Sequence, residues 1–154
     1  MVKIMDRDRG YLAMRRQLDL MRHSYTKVGI MAGSKESDGV TDLVTVAAAN
    51  EFGTDRIPER SFLRATFDEQ RETIAAICKA EADAIMVGKK TVETSLPLIG
   101  AYAAGQVQAK IHSHPPPPNA PATIERKGSS GTLVDSGQLA QSVRHVEIIQ
   151  GREQ

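Results

Sequence analysis

The stretch SFLRATFDEQRETIAAICKAEADAIM, residues 61–86, carries a sustained helical repeat of apolar side chains. Residues at this spacing fall along one side of a helix, while most of the charged residues of the stretch fall on other sides. The pattern therefore predicts one long helix with a buried stripe. The residues of that stripe are Phe62, Phe67, Ile74, Ile77, Cys78, Ala82 and Ile85.

Two segments outside this stretch alternate apolar and polar residues, as half-buried strands do. They are TKVGIMA, residues 26–32, and VRHVEII, residues 143–149, and we expect them to pair. Further helices are predicted over residues 4–22, 41–52 and 89–111. Together these elements predict an α+β fold in which a small, mostly antiparallel sheet packs against a long helix, with short flanking helices.

Individual residues predict the ends and faces of these helices. Thr41 or Asp42 is a candidate N-cap, although the Val and Thr residues of LVTVA, residues 43–47, leave a strand open as an alternative. Gly105 in the last helix predicts a close approach of another backbone. The residues expected on the inner face of the first helix are Tyr11, Met14, Leu18 and Met21.

The chain has 154 residues, which favours a single domain over residues 1–154. Within it, residues 112–132 are rich in Pro and Gly and predict an extended loop. The run Pro115–Pro118 favours a polyproline II conformation, and Thr123-Ile124 favours a short strand.

The composition argues against several classes of protein. Lys and Arg total 20 and Asp and Glu total 19, and this balance is not typical of a dedicated nucleic-acid binder. With three Phe, three Tyr and no Trp, an aromatic platform for single strands is not expected. No apolar run approaches the roughly 18 residues of a membrane span, and the charged start MVKIMDRDRG predicts no secretion signal. Cys78 is the single cysteine, and its place on the apolar stripe predicts an inert buried thiol.

The string HSHP, residues 112–115, partly resembles the JAMM-type zinc isopeptidases, in which two imidazoles and one carboxylate leave a zinc position open for water. A zinc site here would use His112, His114 and Glu125. That family has Asp in place of Glu125 and Ser in place of Ala122. The alternative is a surface turn between a helix end and a proline spacer. No nucleophile elbow and no phosphate-binding glycine loop is found in the sequence.

Two basic pairs, Arg15-Arg16 and Lys89-Lys90, predict solvated faces. They leave open that one pair lines a channel past DNA, because positive side chains hold phosphates without reading sequence.

Two separated strings carry a more specific pattern. The first is ANEFGT, residues 49–54, followed by IPERSFLR, residues 57–64. The second is TIERKG, residues 123–128, followed by LVDSGQL, residues 133–139, with Ser142-Val143 after it. Together, in this order, they resemble the tail-completion and head–tail joining proteins of tailed bacteriophages, which are related to the minor tail protein Z group.

The resemblance spans roughly residues 26–148. Ser61 stands where Pro is common in that family, and Ser136 stands where Thr is common; both replacements keep turn or cap chemistry. The candidate assembly residues within the two strings are Glu51, Phe52, Gly53, Ile57, Pro58, Arg60, Phe62, Arg64, Lys127, Gly128, Asp135, Gly137 and Leu139.

The resemblance implies a structural protein of the virion at the head–tail junction or upper tail, made in the host cytoplasm, with no catalytic residue, metal, cofactor or membrane contact. It implies a homo-oligomer, a hexameric ring around the DNA channel, which needs a heterologous interface. The partners it implies are neck and tail proteins such as a terminator, stopper, adaptor or tail tube, and non-specific DNA contact stays open. A tail terminator or another neck connector is the alternative in the same class, and the zinc hydrolase is the alternative in a different class.

The first string also predicts how its loop is held. Phe52 and Phe62 are expected to anchor the loop in the core at both ends. Gly53 permits a sharp exit from the preceding helix, and Pro58 stiffens the loop by fixing its backbone angle φ.

Charged residues of the strings predict further contacts. Arg60 or Arg64 is expected to pair with Glu51 or with an acidic residue of a neighbour. Asp135-Ser136 is expected to cap a short helix that carries Leu139.

Overall fold

The computed structural model describes residues 10–35 and 39–154, which contain seven helices and three strands. The helix predicted over 4–22 is seen from Tyr11 onward, and its residues 4–9 lie outside the described residues. The helices are α1 (Tyr11–Arg22), α2 (Leu43–Phe52), α3 (Leu63–Glu69), α4 (Arg71–Met86), α5 (Val92–His112), α6 (Pro121–Lys127) and α7 (Gln138–Gln141); the strands are β1 (Tyr25–Ile30), β2 (Val143–Ile149) and β3 (Arg152–Glu153).

The three strands form one antiparallel sheet in the order β1-β2-β3. The β1–β2 ladder runs from Tyr25 opposite Ile148 to Ile30 opposite Val143, which confirms the predicted pairing. β1 ends before the predicted end at residue 32. The long helix α5 packs along this sheet, so the predicted α+β fold is confirmed.

A glycine allows α5 to lie close to the sheet. A Cβ atom at Gly100 would lie 2.7 Å from Oγ1 of Thr26 and 2.9 Å from the ring of His145. The close approach predicted at Gly105 is wrong, because, apart from the adjoining backbone of α5 itself, no atom of the described residues lies within 4 Å of the corresponding position there. Gly100 is buried and Gly105 is exposed, so the two glycines lie on different faces of α5.

The stretch 61–86 forms two helices, α3 and α4, rather than the one long helix predicted. The break falls at Gln70, whose side-chain oxygen lies 3.2 Å from the hydroxyl of Tyr102 on α5 and accepts its hydrogen bond. Phe67 and Cys78 are exposed, so the predicted buried stripe is wrong at both positions.

Two apolar clusters hold the elements together. Leu20, Ile85 and Val92 join α1, α4 and α5 in the smaller cluster. The predicted inner face of α1 is wrong for Tyr11 and Leu18, which are exposed, because α1 turns Leu20 inward instead. The larger cluster comprises Leu43, Ala47, Phe62, Ala104, Val107, Ile111, Leu139, Ala140 and Val143.

The helix predicted after Asp42 is confirmed, and the strand alternative for residues 43–47 is wrong. The Asp42 carboxylate accepts a hydrogen bond from the backbone N–H of Thr45 at 3.1 Å, as an N-cap residue does. α2 turns Leu43, Ala47 and Glu51 inward.

Residues 112–132 are not the extended loop that was predicted. Their second half forms α6, so the strand predicted at Thr123-Ile124 is wrong. Pro121 in the first turn and Gly128, left-handed with φ 66°, delimit this helix in the way that Pro and Gly commonly do. The proline run bends at residues 116–117 instead of continuing as one polyproline II segment.

Candidate partner-binding cleft

The two strings that carry the bacteriophage resemblance line one cleft of about 440 Å³. Residues of α2 and the loop after it meet there with residues of the proline run, α6 and the segment leading into α7. The structure thus brings together parts of the chain that are far apart in sequence. The first string contributes Asn50, Ile57, Pro58 and Arg60, and the second contributes Thr123, Arg126, Lys127, Leu133, Asp135, Ser136, Gly137, Gln138 and Leu139.

Glu51, on the inner side of α2, holds the start of α3 next to this cleft. Its carboxylate accepts hydrogen bonds from the backbone N–H groups of Phe62, Leu63 and Arg64 at 2.8, 2.9 and 2.9 Å. The Ser61 hydroxyl donates a further bond at 2.7 Å. The predicted pairing with Arg64 is a minor part of this arrangement, since its Nε lies 3.6 Å from Glu51 Oε1.

This environment keeps Glu51 ionised. Burial alone would raise the pKa of Glu51, but the backbone N–H groups of Arg64 and Leu63, with further donors, lower that pKa overall. The first N–H groups of a helix lack partners inside the helix and carry a partial positive charge, so they favour an anion. Glu51 is therefore suited to fixing α3 in place and not to donating a proton.

Arg60 does not pair with Glu51, so that alternative of the prediction is wrong. Its buried guanidinium donates from Nε to the carbonyl of Pro117 at 2.7 Å and from Nη2 to the carbonyl of Pro118 at 3.1 Å. Burial lowers the pKa of Arg60, although an arginine stays charged in proteins. These two bonds fasten the proline run to the first string.

The two phenylalanines of the first string differ in burial. Phe62 is 0% exposed, and its predicted anchoring role is confirmed. Phe52 is 68% exposed, and the same prediction is wrong for it. The Arg64 guanidinium lies over the Phe52 ring, 5.7 Å from its centroid, and also pairs with Glu59 at 2.6 Å. Phe52 and Arg64 are thus parts of the surface.

The loop between these phenylalanines is closed by local hydrogen bonds. Gly53 has φ 72°, which confirms the predicted sharp exit, and a Cβ there would lie 3.0 Å from the backbone nitrogen of Glu59. The Thr54 N–H donates to the carbonyl of Ile57 at 2.8 Å, and the Ile57 N–H donates to the Thr54 hydroxyl at 3.0 Å. Pro58, which follows, is exposed.

Lys127 holds the second string in shape. Its Nζ donates to the carbonyls of Gly131 and Val134 at 3.1 and 2.6 Å, across the turn that follows Gly128. The ammonium group of Lys127 therefore supplies hydrogen-bond donors to these two backbone carbonyls.

The start of α7 differs from the prediction. Its N-cap position is held by Gly137, left-handed with φ 79°, and not by Asp135 or Ser136. The Ser136 hydroxyl still accepts from the first N–H of the helix, that of Gln138, at 3.4 Å. Leu139 is buried, as expected. Asp135 is left exposed at the cleft.

The residues of the zinc alternative do not form a ligand set. Among the described residues no group of three His, Cys, Asp or Glu could hold a metal ion. His112 and His114 are exposed, and Nδ1 of His114 lies 3.2 Å from the carbonyl oxygen of Thr132. Glu125 lies on α6.

The two basic pairs predicted to be solvated have different surroundings in the structure. Arg15-Arg16 is exposed on α1, as predicted. Lys90 is not simply solvated: its Nζ contacts both oxygens of Glu81 at 2.6 and 2.8 Å. The Ser95 hydroxyl donates to the same carboxylate at 2.8 Å. Sequence reasoning missed this network because its members lie on α4, α5 and the link between them.

Comparisons of the chain with protein-family models, curated proteins and solved structures give no match. In the described part of the chain, none of the helices combines the length and the apolar character that crossing a bilayer requires.

Proposed function

We propose that this chain is a non-enzymatic structural protein of a tailed bacteriophage, which acts in tail completion or head–tail joining at the neck or upper tail. The observation that carries the proposal is the convergence of both family-like strings on one cleft. Either string alone is a short pattern. In the folded chain the two strings lie next to each other, so the residues that carry the resemblance form one region of the molecule.

The contacts within the strings support a building block. Glu51 and Arg60 direct their charges to backbone groups and thereby fix the loop before α3 and the proline run. Phe52 and Pro58 stay exposed beside them. Rigid backbone with exposed apolar side chains is suited to contact with neighbouring proteins. The proposed assembly is a hexameric ring, in which repeated contacts add up to high avidity.

The test is to purify particles made by the virus or prophage that encodes the chain. We expect mass spectrometry to detect the chain in mature particles and cryo-electron microscopy to place it at the head–tail junction or upper tail. Deletion should leave heads and tails unjoined. Particles that lack the chain, or infectious particles made without it, would overturn the proposal. A position at the end of the tail tube alone would favour the tail-terminator alternative.

A metal assay separates the proposal from the zinc hydrolase. We expect the purified chain to retain far less than one zinc per molecule, with no difference between the native chain and His114→Ala. About one zinc per chain that is lost in His114→Ala would favour the hydrolase instead.

A further inference from the structure

We propose that the cleft binds an acidic, extended peptide segment of a partner protein, with carboxylates seated by Arg56 and Arg126. This inference deepens the proposed function, on which it rests, by naming the chemistry of the neighbour that the cleft accepts.

The charges of the cleft point to an anionic ligand. Four cations line it, and Arg60 and Lys127 among them are already bound to backbone carbonyls. Arg56 and Arg126 are exposed, and their guanidinium groups have no hydrogen-bond or ion-pair partner within residues 10–35 and 39–154. Two unpaired guanidinium groups facing one cleft suit carboxylates, which they bind with two parallel hydrogen bonds each.

A buried oxygen indicates that the ligand also donates hydrogen bonds. Oε1 of Gln138, a residue that lines the cleft, is buried without a hydrogen-bond partner among the described residues. Such an atom costs free energy until a donor reaches it. The terminal torsion of a glutamine side chain turns easily, so this oxygen can rotate toward a ligand in the cleft.

These two features together favour peptide over nucleic acid. A peptide carries both carboxylates and backbone N–H donors, whereas the sugar–phosphate backbone of DNA has acceptors but no donor for Gln138. Asp135 at the cleft can accept a hydrogen bond from a peptide backbone N–H. A cleft of about 440 Å³ also suits a short peptide segment and not a duplex. Ile57, Pro58 and Leu133 supply apolar contact for the neighbouring side chains of that segment.

The test is a selection of random peptides displayed against the immobilised full chain. We expect the enriched peptides to share Asp or Glu residues. A synthetic copy of one of them should bind the chain in fluorescence anisotropy. Binding should weaken at least about tenfold in the double variant Arg56→Gln, Arg126→Gln and in Gln138→Glu, which places a negative charge in the cleft. Arg22→Gln removes an exposed arginine on α1 and is the matched control, with binding expected within about twofold of the native chain.

Circular dichroism of all variants checks that a loss of binding is not caused by unfolding. The inference is overturned if no peptide enriches, if the enriched peptides lack acidic residues, or if the cleft variants bind as well as the control. It is also overturned if a short DNA duplex competes with the peptide and depends equally on Arg56 and Arg126. Binding is measured on the isolated chain and the proposed function on virus particles, so either can fail without the other.

Discussion

At the scale of single residues, Glu51 is the side chain on which the candidate site most depends. Its carboxylate is the shared acceptor for three backbone N–H groups and one hydroxyl at the start of α3. We expect Glu51→Gln to lower the free energy of unfolding by about 1–3 kcal/mol, because an amide offers one acceptor oxygen and turns an NH2 group toward N–H donors. Urea unfolding measures this change. Glu59→Gln, at an exposed ion pair of Arg64, is the control and should cost no more than about 1 kcal/mol. Equal costs for the two variants would show that the buried carboxylate has no special role.

The depressed pKa of Glu51 predicts a pH dependence. The pKa of this group is lower in the folded chain than its ordinary value of 4.5, so the folded state holds the proton less well than the unfolded state. The stabilisation is therefore fully present above the ordinary value and is lost as the pH falls through the lower folded pKa. Unfolding measured from neutral pH downward should show a difference between the native chain and Glu51→Gln that shrinks in acid. A difference that grows in acid would contradict the assignment.

Sequence reasoning singled out Glu51, but it missed the main partners of this carboxylate, and the expected pair with Arg64 is only a 3.6 Å contact. An ion pair with Arg60 or Arg64 follows from charge alone, whereas the observed acceptor role depends on how the end of α2 meets the start of α3. In the tertiary fold, the Arg60 guanidinium donates hydrogen bonds to the carbonyls of Pro117 and Pro118 instead. Charge patterns identify such residues, and packing decides what they bind.

At the scale of secondary-structure elements, the contact between α5 and the sheet depends on Gly100. We expect Gly100→Ala to destabilise the fold by about 1–3 kcal/mol, because the added methyl would overlap Thr26 and His145. Thermal or urea unfolding measures the effect.

Gly105→Ala is the matched control on the same helix. Apart from the adjoining backbone of α5 itself, the added methyl meets no atom of the described residues within 4 Å. Alanine also favours a helix over glycine, so we expect a gain of up to about 1 kcal/mol. A loss at Gly105 as large as that at Gly100 would show that α5 does not lie on the sheet as described.

Most helices and strands could be predicted from the sequence, and each wrong prediction has a local physical cause. Strand pairing and α2 followed from alternation and from the Asp42 cap. The break at Gln70 is not marked by Pro or Gly in the sequence; Gln70 instead accepts a hydrogen bond from Tyr102 on α5, a contact that only the tertiary fold creates. The helix α6 did have a signal in Pro121 and Gly128, which bracket it in sequence, but the apolar pair at its centre suggested a strand.

At the scale of the whole molecule, the existence of the cleft could not be predicted from the sequence. The resemblance named most of its lining residues, but their convergence depends on the tertiary fold. α2 shows the same difficulty, since its sequence LVTVAAANEF is apolar on nearly every side and does not define an inner face. The fold buries Leu43, Ala47 and Glu51, and Phe52 is left at the surface.

The exposed Phe52 predicts a separation of folding from assembly, if the proposed function holds. We expect Phe52→Ser to change the free energy of unfolding by no more than about 1 kcal/mol, since it removes an exposed ring and its contact with Arg64. Phe62→Ala should cost about 3–5 kcal/mol, because that ring is fully buried in the main core. Incorporation into virus particles, measured by complementing a deletion with each variant, should nevertheless fall for Phe52→Ser, because a folded chain would lack an apolar contact for its neighbour. Normal incorporation of Phe52→Ser would remove Phe52 from the assembly surface, and unfolding of that variant would mean that the ring supports the fold after all.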